Sequence, residues 1–278
     1  MKMGSLDGRV ALVTGAGRGQ GRSHALALAA EGADVVACDI AADIPAIPYP
    51  LATKADLDET VAQVQGLNRR CTGLVADMRS TSDVAGVVDR AIAEFGRIDI
   101  LVANQGVIGY APVDTTTDEM WQDILDTNLT GAFKVVRAVL PHMRERGYGR
   151  IVVTASSIAR NGRANVAAYA ASKWAIVGLV KCCAQDVAGT GITVNAICPT
   201  LVSTGMVMNE ATFRLFCPDI DQPTEEDFAG RVRDAFGPGC LTPQDVSRTL
   251  LHIVGDERGV LTGQAHDIGY GAMTRLPI

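Results

Sequence analysis

The stretch from Arg9 to Asp39 constrains the fold more than any other part of the chain. It opens with an apolar run from Val10 to Val13, then passes through Thr14-Gly15-Ala16-Gly17-Arg18-Gly19-Gln20-Gly21. A helical pattern follows until Gly32 stops it, and a second apolar run ends on Asp39. Strand, glycine turn, helix and strand in this order form the unit that binds a dinucleotide. The parts have separate physical reasons. Gly15 permits the tight turn off the strand, and Gly19 lets backbone approach a pyrophosphate with no Cβ in the way. Gly21 lets the helix pack close to the sheet, and the helix N-terminus offers free N–H groups and the positive end of its dipole to phosphates. Glycines alone also mark ordinary turns. Here the flanking strand, helix and terminal acid all fall in place, so Gly15, Arg18, Gly19, Gln20, Gly21 and Asp39 are the expected cofactor contacts of this unit.

Arg18 and Asp39 pull in opposite directions on cofactor choice. An arginine in the turn can meet a 2′-phosphate, whereas a carboxylate at the end of the second strand repels that phosphate and accepts the free ribose hydroxyls. Asp39 holds the more decisive position, and NAD is the expected cofactor.

The rest of the chain fits one enzyme-sized domain. Its 278 residues can bury a large core without a second domain. A net charge of −6 gives no basic footprint for nucleic acid or an anionic membrane. No apolar stretch approaches the ~20 residues of a membrane span, and the N-terminal apolar run is too short for a signal peptide, so the expected location is the cytoplasm. The seven cysteines are scattered without a Cys-x-x-Cys pair and read as reduced packing residues. His24, His142, His252 and His266 lie far apart with no metal-ligand spacing, and no metal is expected.

Between Asp39 and Asp77 the crossover is longer than one helix needs. Pro45, Pro48 and Pro50 predict an extended, stiff first part, and Thr53 with Asp56 resembles a capping box opening a helix to about Asn68. Residues 40–70 thus form an insert beside the adenosine site, either functional or a surface elaboration. A third strand ends on Asp77 and Met78, suited to the adenine ring, and a helix from about Ser82 to Phe95 follows it. The fourth strand, starting near Ile98, runs into Asn104-Gln105-Gly106. A helix spans roughly Thr117 to Met143 and carries Asn128, which costs propensity there and needs a reason. An apolar fifth strand from Ile151 ends at Ser156 and Ser157. On the following helix Tyr169 and Lys173, four residues apart, share one face. A sixth strand from Ile192 leads to Pro199, Val202 and Thr204. Residues 205–239 hold four of the six phenylalanines, which suggests a mobile apolar lid over a substrate; packing against a neighbouring subunit is the alternative.

These residues resemble the short-chain dehydrogenase/reductase family. The resemblance rests on Thr14-Gly15-x-x-x-Gly19-x-Gly21, the Asn104-Gln105-Gly106 turn (with Gln105 where the family has Ala), Asn128, and Tyr169-x-x-x-Lys173 after the fifth strand. It covers nearly the whole chain and implies a single doubly wound Rossmann α/β domain, about seven parallel strands with helices on both faces. It also implies a catalytic set. Tyr169 is the general acid/base, its phenol lowered by the Lys173 ammonium and the oxidised nicotinamide. Lys173 also holds ribose hydroxyls, and Asn128 orders a relaying water in a bent helix. Ser156, thirteen residues before Tyr169, takes the substrate oxygen, with Ser157 as its neighbouring alternative. Asn104 and Gly106 keep places beside the cofactor, and Pro199, Val202 and Thr204 line the nicotinamide, with Thr200 replacing the family's Gly.

The prolines of the insert and two segments, residues 208–219 and 223–228, narrow the resemblance to the carveol dehydrogenases, a mycofactocin-associated subfamily. That implies oxidation of small hydrophobic, cyclic terpenoid-like secondary alcohols to ketones, NAD held tightly, an external electron acceptor of the mycofactocin type, and a homotetramer. The competing expectations are a general ketone reductase with freely exchanging cofactor and a catalytically silent NAD-sensing regulator.

Overall fold

The computed structural model describes residues 4–271. Its centre is a seven-stranded sheet in the order β3-β2-β1-β4-β5-β6-β7, parallel throughout. The strands are β1 (Val10–Thr14), β2 (Asp34–Asp39), β3 (Cys71–Val75), β4 (Ile100–Ala103), β5 (Gly149–Thr154), β6 (Ile192–Pro199) and β7 (Ala265–Ile268). The expected doubly wound sheet is therefore present. Strands β1, β4, β5 and β6 are buried along their whole length, because helices cover both faces and leave no strand side for water.

Alternate residues of each strand feed two cores. On one face Leu12, Val36, Leu101, Ile151 and Val194 meet helices α3 (Thr81–Phe95), α5 (Gly131–Arg146) and α6 (Ala167–Asp186). On the other, Ala11, Val13, Val35, Ile100, Val152 and Ile197 meet α1 (Gly19–Ala30), α2 (Lys54–Gly66) and α9 (Pro243–Val254). The chain order reverses between β1 and β4. The crevice at their carboxyl ends is where an open parallel sheet binds its ligand.

Local signals account for the element boundaries. Thr53 and Asp56 cap α2 reciprocally, as do Thr242 and Asp245 for α9, so the aspartate completes the box. Leu57 and Val64 of α2 are buried and Val61 packs beside them. The long helix around Asn128 consists of α4 (Asp118–Leu125), a π-helical turn at Asp126–Thr130, and α5. The π turn is the bend, and single π turns inside α-helices often mark functional sites.

One feature departs from the sequence reading. The proline-rich arm is not extended: Ile47 N–H donates to the Ile44 carbonyl at 2.9 Å, closing a turn that buries Ile44, Ile47 and Tyr49. The apolar side chains find partners there that outweigh the proline preference for extended backbone. After β6, Phe213, Phe216 and Phe228 pack against one another within the chain. They sit on α7 (Glu210–Phe216) and α8 (Glu225–Phe236), where Phe228 is 1% exposed and packs at 5.1 Å from Phe213 and 5.2 Å from Phe216, ring centroid to centroid. Rings that stack on one another give this segment a small core of its own.

Candidate active site

A cleft of about 400 Å³ runs along the carboxyl ends of the strands. Its floor at one end is the glycine turn. Gly15 has φ +62°, and a Cβ on Gly21 would lie 1.9 Å from the Gly15 carbonyl oxygen, so the turn and the start of α1 exist in this form only with glycine. No side chain caps α1, whose N-cap is Arg18, and its first N–H groups are left for a ligand. Asp39 closes the turn from the far side. Its carboxylate accepts from Gly17 N–H at 2.9 Å and Ala41 N–H at 3.1 Å while still lining the cleft.

The other residues expected at the cofactor also line this cleft, among them Gln20, Asp77, Met78, Asn104, Gly106, Pro199, Val202 and Thr204. Asn104 ties the second half of the sheet to the first, its amide donating to the carbonyls of Thr14 at 3.2 Å and Gly15 at 3.3 Å. The Asp77 carboxylate accepts Arg79, which also reaches Asp123 of α4 at 2.8 Å. Thr204 lies over the glycine turn, 3.2 Å from where a Gly19 Cβ would stand. Arg18 turns away from Asp39. Its guanidinium donates to the Pro50 carbonyl and packs against Gly205, joining the insert to the segment after β6. A role for Arg18 at a 2′-phosphate would require it to leave both.

Gln105 replaces alanine without opening the turn. The Thr14 hydroxyl accepts the N–H groups of Asn104 and Gln105 and donates to Gln105 Oε1, which orients the amide. Its Nε2, Gln20 Oε1 and Thr127 Oγ1 are buried without a hydrogen-bond partner among the described residues, and all three residues line the cleft. Buried polar atoms are normally paired. Such orphans around an uncapped helix end and a ribose-facing carboxylate fit a long, polar, phosphate-bearing cofactor.

The chemistry-bearing residues meet at the opposite end. Asn128, 1% exposed, accepts from Val107 N–H at 2.8 Å and donates to the Val107 carbonyl at 2.9 Å and to Ser172 Oγ at 3.0 Å. It is a buried brace between the π turn, the loop after β4 and α6. Lys173, 3% exposed, donates from Nζ to the Thr154 carbonyl at 2.7 Å, and its Nζ stands 5.6 Å from the centre of the Tyr169 ring. Gly106 lies beside both: a Cβ there would stand 3.4 Å from Asn128 Oδ1 and from Lys173 Nζ, an ordinary contact. Ser156 stands close enough to the Tyr169 hydroxyl to favour its charged form, and it caps the short 3₁₀ turn Ser157–Arg160 by accepting Ile158 N–H at 3.3 Å. Ser157 lines the cleft but begins that turn, so Ser156 is the serine on the phenol.

Charge at this end differs from the sequence expectation. The Lys173 ammonium was expected to bring the Tyr169 phenol down, yet in the protein alone burial pushes it up to about 12, with nearby Ser156 pulling the other way. Burial also brings Lys173 down to about 8. Lys173 is buried and Tyr169 half-buried against the cleft, where the charged form is poorly solvated, so a low phenol pKa needs additional positive charge beside it.

The insert reaches further than the adenosine side. Ile44, Ile47 and Tyr49 pack with Val107, Ile124 and Ala168, and with Tyr169 and Met206 at the edge of the cluster. Ile108 N–H donates to the Tyr49 hydroxyl at 3.0 Å. From the segment after β6, Met206, Thr212, Leu215 and Phe216 line the cleft. Tyr49, Tyr110 and Arg163 also reach it and had no motif to announce them; they lie in loops whose position only the tertiary fold determines.

Comparison with known proteins agrees with this geometry. The description of the short chain dehydrogenase family matches residues 9–214. A (−)-trans-carveol dehydrogenase of Rhodococcus erythropolis is 39% identical over 274 residues, 97% of this chain and 99% of that protein. The crystal structure of a carveol dehydrogenase from Mycobacterium avium in complex with NAD superposes with TM-score 0.95 at 39% identity, covering 98% of this chain and all of that one. A short chain dehydrogenase from Mycobacterium paratuberculosis bound to NAD gives TM-score 0.88 at 36% identity, over 98% of this chain and all of that one. With the glycine turn, the parallel sheet and the Tyr169–Lys173 helix all accounted for within one matched span, the chain belongs to the short-chain dehydrogenase family.

Proposed function

We propose that the protein is an NAD-linked alcohol dehydrogenase that interconverts a hydrophobic, cyclic, terpenoid-like secondary alcohol and its ketone. The observation that carries this reading is the meeting of Ser156, Tyr169 and Lys173 at the apolar end of a cleft whose other end suits a dinucleotide. NAD is the cofactor, as in the two NAD-bound structures that this chain resembles, with Asp39 positioned to accept the ribose hydroxyls and exclude a 2′-phosphate. When bound, its oxidised nicotinamide accepts the hydride and brings positive charge near Tyr169. The protein groups do the rest. Ser156 holds the carbinol oxygen, Tyr169 takes its proton at the phenol oxygen, and Lys173 favours the phenolate electrostatically. The Asn128 side chain is already engaged by Val107 and Ser172. It therefore positions the π turn, whose main chain offers the place for a relaying water.

The carveol-type substrate is supported by the two carveol dehydrogenases named above and by the apolar lining of the cleft around Ile108, Ile158 and Leu215. We also propose a homotetramer, for which Trp121, Phe133 and Trp174, exposed on α4, α5 and α6, supply apolar contact surface. An external, mycofactocin-type acceptor would reoxidise NAD that stays bound. No helix among the described residues is long and apolar enough to cross a membrane. The test is to measure NAD in the purified protein and then screen cyclic secondary alcohols for reduction of that NAD. Carveol and related cyclic alcohols should give bound NADH, and failure of every alcohol would overturn the dehydrogenase reading.

A further inference from the structure

The cleft holds five charged side chains, and four of them have protein or cofactor business. Asp39 accepts two backbone N–H groups, Asp77 pairs with Arg79, Arg18 donates to Pro50, and Lys173 donates to Thr154. The fifth is Arg163. Among the described residues it makes no hydrogen bond and no ion pair; its guanidinium carbon lies 3.9 Å from the centre of the Phe216 ring, a cation–π contact, and its charge is felt by Tyr110. The residue is exposed as a whole, yet it lines the cleft at the catalytic end, on the loop between Ser156 and Tyr169.

That loop is built to hold it there. Trp174 Nε1 donates to the Asn161 carbonyl at 3.0 Å and Ala111 N–H to the Asn165 carbonyl at 3.0 Å, pinning the chain on both sides of Arg163. Asn165 turns the backbone at φ +67°. Opposite, the Tyr110 hydroxyl bonds Thr212 Oγ1 at 2.7 Å, fixing the loop after β4 to α7, which carries Phe216. An arginine held over an aromatic ring and lining a cleft without a free carboxylate suits bidentate recognition of an anionic oxygen pair. The cofactor's phosphates belong at the uncapped start of α1, at the other end of the cleft.

We infer that Arg163 is a substrate-specificity residue, and that the physiological alcohol carries a carboxylate on its apolar body, remote from the carbinol. The inference rests on the dehydrogenase reading above and narrows it. The alcohol's ring lies against the apolar walls, its hydroxyl at Ser156 and Tyr169, its carboxylate on the guanidinium.

The experiment uses the NAD-containing protein and follows reduction of NAD with a set of hydroxycyclopentane- and hydroxycyclohexane-carboxylates, each beside its uncharged methyl ester. At least one carboxylate should exceed its ester by tenfold or more in kcat/KM, mainly through KM. Arg163→Met should bring that ratio close to one, and Arg163→Lys should retain part of it. Thermal melting and NAD content check that the variants are folded. Esters equal to or better than carboxylates throughout, with wild-type protein turning them over, would overturn the inference and leave the dehydrogenase standing. A preference that survives in Arg163→Met would also overturn it. If no compound of either kind reduces NAD and cyclic alcohols without the added group fail too, the dehydrogenase reading falls and the inference with it.

Discussion

Tyr169 sets the pH behaviour expected of the reaction. Alcohol oxidation uses the phenolate, and ketone reduction uses the phenol. Burial raises the phenol and the bound nicotinamide's positive charge lowers it, so oxidation should accelerate as pH rises toward the lowered value, and reduction should slow. Tyr169→Phe keeps the ring in its packing and removes the proton acceptor. We expect kcat to fall by roughly 10²–10⁴, the usual worth of a positioned acid/base, with NAD affinity largely kept because the glycine turn and Asp39 are untouched. Activity within tenfold of the parent would sink the assignment. Asp39→Ala tests the other end of the cleft. Losing a charge-assisted acceptor of about 1.5–3 kcal/mol should shift the NAD/NADP ratio of kcat/KM by roughly 10–100-fold toward NADP. Arg18 can assist the phosphate only by releasing the Pro50 carbonyl, so full inversion is not expected. A ratio that hardly moves would mean that Asp39 does not read the ribose.

At the scale of elements, the insert argues for slow cofactor exchange. It lies across the glycine turn, where Ala52 would stand 2.7 Å from a Gly17 Cβ, and continues through Pro50 and Tyr49 to the Tyr169 end of the cleft. A cofactor under such a cover leaves only when the cover opens, which lowers koff more than kon. Replacing residues 44–52 with a short loop, and leaving α2 in place over the sheet, should give folded protein that exchanges labelled NAD rapidly. Tyr49→Phe is the gentler probe, since it leaves the half-buried Ile108 N–H without its protein acceptor, a cost of about 1 kcal/mol. Exchange by the parent as fast as by either variant would reduce the insert to surface decoration. The elements themselves were legible in the sequence because strands buried on both faces read as apolar runs and caps as Thr-x-x-Asp. The conformation of the insert was not. Prolines bias local backbone, but burial of Ile44, Ile47 and Tyr49 depends on Val107, Ile124 and Ala168, far away in the chain. The residues of the candidate site were legible where a spacing announced them, as at Gly15–Gly21 or Tyr169–Lys173. Arg163 and Tyr110 were not, because a loop side chain acquires a partner only from the fold.

For the whole molecule, the weakest joint under acid is the contact between α1 and α9, which covers one face of the sheet. His24 is fully buried there, its Nδ1 2.8 Å from Ser247 Oγ, and Ser23 Oγ reaches the same hydroxyl at 2.8 Å. Its Nε2 is buried without a partner among the described residues, so a second proton would find nothing to bond. Burial accordingly brings the imidazole down from 6.5 to about 3. The unfolded chain then binds a proton that the folded chain refuses, and stability rises with pH between these two values. The His24 contribution is complete above about pH 6.5 and is lost as pH falls toward 3, by up to about 1.4 kcal/mol per pH unit. His142 and His266 are lowered by burial too, and act in the same direction. The helix-capping carboxylates of Asp56, Asp227 and Asp245 are depressed instead, so their contribution is lost only below their ordinary value of 3.8. Glu94, depressed from 4.5, joins them near pH 4.5, so the interval from about pH 5 to 6.5 belongs to the histidines. His24→Asn can keep a hydrogen bond to Ser247 but cannot titrate. We expect it to be less stable than the parent at pH 8, yet to lose stability less steeply on acidification to pH 5, by close to one proton's worth of slope. Urea unfolding across that interval measures both slopes. Parallel curves would show that His24 is not the acid-sensitive joint and would move the search to His142 and His266.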